Sequence, residues 1–259
     1  MITRIEYESI NGERKPTPRY IVEKTTPLCQ NDDHSVLSGE LMSFDLLDSY
    51  IENEYPDDVN GKSFHVKYEK LPETTALEKM VKNIYRILTI YRNAFVHHRS
   101  SIQDNGSRTS LEFTHLSKNY KLEISNSSLK EIDSFVMTYL LRIVDYSDLY
   151  VECLLLGRHD FIVSGIASFQ YGDIGELISV PSGDKIGFNT RYNHSIEEDG
   201  IDVSGDPVKF LIEIQDKARF PTDIIVTLNN DKYAVPTEML SEEKTISRSL
   251  FEKFKKKSG

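Results

Sequence analysis

Apolar residues recur at three- and four-residue intervals along two long stretches of this chain. In the first, Leu77, Met80, Val81, Ile84, Ile87, Leu88, Tyr91 and Phe95 share one helical face, with neither glycine nor proline until well past Arg99. Thr75 offers the N-cap and Glu78, three residues on, completes a capping box. The second stretch places Leu129, Ile132, Phe135, Val136, Tyr139, Leu140, Ile143 and Val144 on one face, and its pattern extends toward Phe169. An earlier helix is predicted from Ser38, through Leu41, Phe44, Leu47 and Ile51, to a stop at Pro56. Strict alternation elsewhere predicts strands. Residues 63–68 read as one, and 111–116 with 120–124 read as a hairpin around 117–119. The first 35 residues predict a strand or two, with a turn at Asn11-Gly12 and a loop at 30–33.

Beyond residue 170 glycine and proline become frequent and the apolar runs shorten to 178–180, 209–214, 224–228 and 233–235. The last two predict a second hairpin, and a closing helix is expected from about Ser241 into the basic tail at 255–257. The predicted class is α+β: an N-terminal helical bundle with hairpin additions, then a smaller β-rich C-terminal region. The predicted domains are 1–35 as an extension, 36–170 as the helical domain and 171–259 as the C-terminal region.

Composition narrows the function. With 259 residues and a formal charge of −10, the chain is not expected to coat nucleic acid, because such binding is driven by neutralising phosphates. Cys29 and Cys153 are too few for a disulfide framework or a Cys-rich zinc site. The N-terminus lacks a signal-peptide core. The most apolar stretch, 149–166, is broken by Glu152, Arg158, His159 and Asp160, so a cytoplasmic protein with no membrane partner is expected. Neither a phosphate-binding loop nor a dinucleotide fingerprint occurs. His65, His115, His159 and His194 lie in no metal-ligand spacing, and no metal or cofactor is expected.

The chemistry concentrates at the end of the first long helix. Taking Arg92 as zero, at about 100° per residue, the apolar stripe centres near ~280° and His97 falls near ~140°. Lys79, Asn83, Arg86, Ile90 and Asn93 continue the His97 face, and this reads as an exposed, polar and basic surface. Between Lys79 and Gln103 the charged residues are Lys79, Lys82, Arg86, Arg92 and Arg99, all basic. An anion-attracting patch is therefore expected inside an acidic protein.

Arg92-Asn93-Ala94-Phe95-Val96-His97 has the form R-N-x-x-x-H near the end of a long helix. It resembles the R-x4-6-H signature of the HEPN superfamily, helical bundles found in toxins, abortive-infection proteins and RNA-processing factors. The resemblance spans roughly residues 36 to 170. It implies a metal-independent endoribonuclease of toxin or phage-defence biology, in which two protomers bring Arg92 and His97 into one composite cleft. His97 would exchange a proton with the ribose 2′-hydroxyl or the leaving 5′-oxygen, Arg92 would hold the scissile phosphate, and Asn93 would orient either. Lys79, Lys82, Arg86 and Arg99 would bind RNA, with tRNA and mRNA as substrates to test. The implied partners are a second copy of the chain and a regulatory or antitoxin protein. The alternative is a non-catalytic dimeric scaffold that binds RNA or protein.

Overall fold

The computed structural model describes residues 2–10, 13–21, 35–141, 145–188, 191–214 and 221–257. The chain forms two units, neither of them a single stretch of sequence. One takes Met1–Thr25, Arg142–Gly157 and Gly183–Gly259, and the other takes Thr26–Leu141 and Arg158–Ser182. A boundary near 170 does not capture this division, because 1–25 and 142–157 join the C-terminal residues. No helix among the described residues is long and apolar enough to cross a membrane.

Strand β1 (Ile2–Ile10) pairs antiparallel with β2 (Glu13–Ile21). The predicted turn at Asn11-Gly12 and the loop at 30–33 lie outside the described residues. Helix α1 (Ser35–Glu54) begins ahead of Ser38, and Pro56 opens a one-turn helix, α2 (Pro56–Val59), with proline where its missing N–H costs nothing.

The strand predicted at 63–68 is instead helix α3 (Phe64–Lys70). Alternation of Phe64, Val66 and Tyr68 suggests a strand, but Phe64, Lys67 and Tyr68 also share a helical face, and tertiary partners favour the helix. Buried Lys67 donates to Asp48 and Glu52 of α1 at 2.7 Å, and the Tyr85 hydroxyl donates to Asp48 at 2.7 Å. Phe64 meets Phe44 of α1 edge-on at 4.9 Å.

Helix α4 (Ala76–His97) has the predicted capping box: Thr75 Oγ1 accepts from the Glu78 N–H at 3.2 Å, and Glu78 Oε2 accepts from the Thr75 N–H at 2.8 Å. Every residue from Met80 to Tyr91 is buried, so α4 is the central helix of its unit. The chain then runs through β3 (Ile102–Asp104), β4 (Arg108–His115), β5 (Lys118–Ser125), α5 (Asn126–Leu141), α6 (Asp148–Ser164) and β6 (Ile166–Tyr171). The four strands form one antiparallel sheet in the order β3-β4-β5-β6.

That sheet corrects the expected helical bundle. The class is α+β with helices in the N-terminal part and a β-rich C-terminal half, and the helices do not make a clearly helical bundle. Leu111, Phe113, Leu122, Ile124 and Tyr171 are buried from the sheet side, so the strands are a layer of the core rather than additions to it. The β4–β5 turn is Leu116-Ser117, both with left-handed φ (48° and 62°), as a two-residue type I′ hairpin requires. It begins one residue earlier than the predicted 117–119 and pairs Phe113 with Tyr120 and His115 with Lys118.

In the other unit, β7 (Tyr192–Ile196), β8 (Ile201–Asp202), β9 (Val208–Phe210), β10 (Thr222–Leu228), β11 (Asp231–Pro236) and β12 (Thr245–Ile246) form two three-stranded sheets, ordered β11-β10-β7 and β12-β9-β8. Asn229 and Asn230, with φ of 50° and 68°, close the β10–β11 hairpin. The run at 178–180 forms no strand, and the closing helix shrinks to α7 (Arg248–Glu252), capped by the Ser247 side chain. Arg191 anchors this unit, donating to Asp223 Oδ1 at 2.7 Å and to Glu238 Oε1 at 2.6 Å, while the Tyr150 hydroxyl donates to Asp223 at 2.7 Å.

Candidate functional site

The end of α4 brings three of the predicted residues together within one chain. Arg92 Nη1 donates to Asn93 Oδ1 at 3.2 Å and lies 3.2 Å from His97 Nε2. A guanidinium can only donate, so Nε2 is the acceptor in that contact. The Arg92 guanidinium carbon stands 5.0 Å over the Phe64 ring, which fixes the cation from below. His97 is exposed, while Arg92 and Asn93 are half-buried. Positions five apart on a helix diverge by about 140°, and the long arginine stem closes that angle where α4 stops and no further turn stands in the way. Pairing two protomers is therefore not required to bring Arg92 to His97.

The expected basic face is largely interior. Arg86 is fully buried between Tyr68 and Phe169, its guanidinium carbon 4.9 Å from each ring, and donates to the Glu176 carbonyl at 2.8 Å. Burial lowers its pKa from the ordinary arginine value. Lys82 is also buried and donates to the Leu71 carbonyl at 3.0 Å and to Glu73 at 2.9 Å. Asn83 and Ile90 have no exposure at all. The Asn83 amide donates to the Ile178 carbonyl at 2.9 Å and accepts from the Ile178 N–H at 2.8 Å. This face is thus covered by the chain around 176–178, and Lys82 and Arg86 are structural cations rather than an open RNA track. Lys79 is half-buried near the start of α4, and Arg99 is exposed with its guanidinium 5.3 Å over Phe95.

No family model, curated protein or solved structure matches this chain. The resemblance carried by Arg92, Asn93 and His97 therefore rests on those residues alone.

Two further histidines join the site. His98 leaves the helix at its C-cap, where its N–H donates to the Ala94 carbonyl at 2.8 Å. Its ring stacks on Phe113 of β4 at 4.7 Å and 15°. His115, also on β4, is exposed, and its ring lies 6.1 Å from that of His98. The sequence places His115 in no metal-ligand spacing and gives no sign that it meets His98, because their meeting depends on which strand register faces the end of α4. Among the described residues no group of three His, Cys, Asp or Glu is placed to hold a metal ion. Buried Cys153 has its thiol pushed up to about 12, which leaves it a poor nucleophile.

Proposed function

We propose that this protein is an endoribonuclease that cuts RNA through attack of the ribose 2′-hydroxyl on the adjacent phosphate, using Arg92, Asn93 and His97. The observation that carries this reading is the 3.2 Å approach of Arg92 Nη1 to His97 Nε2 at the exposed end of α4. A planar guanidinium suits a phosphate and the charge that develops on it, and an imidazole beside it can take or give a proton. Asn93 Oδ1 holds the guanidinium in place between turnovers. The products are a 2′,3′-cyclic phosphate and a 5′-hydroxyl, and DNA, lacking the nucleophile, is resistant. We place the activity in the cytoplasm, within toxin or phage-defence biology, on the strength of the motif alone. With Lys82 and Arg86 buried, Arg92 and Arg99 are the members of the expected basic set that remain at the end of α4, which suits brief engagement of RNA rather than extended binding.

The test is incubation of the protein with total RNA and with tRNA in EDTA, beside His97→Ala and Arg92→Ala. Cleavage that is lost in both variants and indifferent to chelator is expected. Cleavage that survives both substitutions, or that vanishes with chelator, overturns the mechanism. RNA bound but left intact by the wild type would favour the binding-module reading.

A further inference from the structure

If the ribonuclease reading holds, one imidazole leaves the chemistry incomplete. The O2′–P bond forms as the P–O5′ bond breaks, the 2′-hydroxyl gives up a proton, and the departing 5′-oxygen gains one. In an in-line displacement the two oxygens lie on opposite sides of phosphorus, so two separate groups serve them best. His97 suits the first transfer. Its Nε2 accepts from Arg92, and a guanidinium that turns to a phosphate releases that lone pair for the 2′-hydroxyl proton.

A second imidazole stands within the same unit. Phe113 and His115 are two apart on β4 and so share a face of the sheet. Phe113 is the residue on which His98 stacks, which puts His115 on the face that meets the end of α4. The ring centroid of His98 lies 6.5 Å from that of His97 and 6.1 Å from that of His115. The centroids of the two exposed imidazoles are therefore closer than the sum of these two spacings, and rings turned toward each other within that limit leave room for a phosphodiester hydrogen-bonded at both oxygens. His98 Nε2 is inaccessible to solvent and has no partner among the described residues, so this ring acts as a spacer locked on Phe113.

We propose that His115 is the general acid that protonates the leaving 5′-oxygen while His97 accepts the 2′-proton. The type I′ turn at Leu116-Ser117 fixes the register, and with it the place of His115.

The experiment compares wild type, His115→Gln and His97→Gln on two oligoribonucleotides of one sequence. One is ordinary RNA, and the other carries sulfur in place of the bridging 5′-oxygen at the position the wild type cuts. A thiolate departs without protonation, so it removes the need for an acid. His115→Gln should lose roughly 10²–10⁴-fold on ordinary RNA and return to within about tenfold of wild type on the sulfur substrate. His97→Gln should stay slow on both. Thermal melting of His115→Gln at the wild-type midpoint confirms an intact hairpin. Wild-type rates for His115→Gln on ordinary RNA, or equal losses on both substrates, would overturn the assignment and leave the ribonuclease reading in place. If the wild type cuts neither oligonucleotide nor any natural RNA, the ribonuclease reading itself fails, and the acid assignment with it.

Discussion

Glu40 offers a quantitative test of the helical unit. Its side chain is buried with 1% exposure, and Oε2 has no hydrogen-bond partner among the described residues. Burial, reinforced by the nearby Asp133 carboxylate, pushes its carboxyl from 4.5 up to about 8. The folded-state value lies above the unfolded one, so the group's contribution to stability is fully present below 4.5 and is lost as pH rises through about 8. At ~1.36 kcal/mol per unit, the loss between about pH 6 and 8 is on the order of 2 kcal/mol. Glu40→Gln keeps the shape and carries no charge at any pH, so that slope should disappear. His159 acts in the opposite sense: burial holds its imidazole down to about 4 from 6.5, so its contribution is complete above 6.5 and is lost as pH falls from there through about 4; wild type and Glu40→Gln share it, and it cancels in their difference. The chain has no tryptophan, so urea unfolding followed by far-UV circular dichroism at several pH values is the assay. Parallel stability curves for wild type and Glu40→Gln across this window would refute the reasoning.

Three further outcomes are expected. Arg191→Met strands the buried Asp223 and the half-buried Glu238, and should cost about 3–5 kcal/mol in chemical unfolding. A Cβ at Gly157 would stand 2.5 Å from the Ile186 carbonyl oxygen, a backbone atom that cannot rotate away; Gly157→Ala should lower stability by about 1–3 kcal/mol, read as a fall in melting temperature. Arg92→Lys replaces a planar fork with a point charge and should reduce RNA cleavage at least tenfold, whereas Lys79→Ala, roughly 20 Å away along α4, should leave the rate of cleavage within about twofold.

The local signals in the sequence were easily read. The Thr75–Glu78 box starts α4, and Asn229-Asn230 closes a hairpin, because each depends on residues within one turn of the chain. Features set by distant partners were hidden. Helix α3 owes its form to Lys67 reaching Asp48 and Glu52 of α1, which no pattern within 63–68 reveals. The polar stripe of α4 looked like surface because the chain that covers it, at 176–178, comes some 90 residues later. The same limit applies at the candidate site. Arg92, Asn93 and His97 are neighbours in sequence, while His115 joins them only through a two-residue turn that begins at Leu116 rather than at Ser117.

Asn83 gives the covering segment an unusual property. Its side-chain amide meets both the N–H and the carbonyl of Ile178, as the peptide group of an adjoining strand would. Ile178 lies in neither helix nor strand, and yet its amide hydrogen is held against a side chain rooted in the buried core of α4. Deuterium from solvent will therefore enter this position late, at a pace tied to the opening of α4, while its irregular neighbours at 179–182 exchange early. A slow island within an irregular stretch would mark the point where one carboxamide fastens this segment to the helix beneath it.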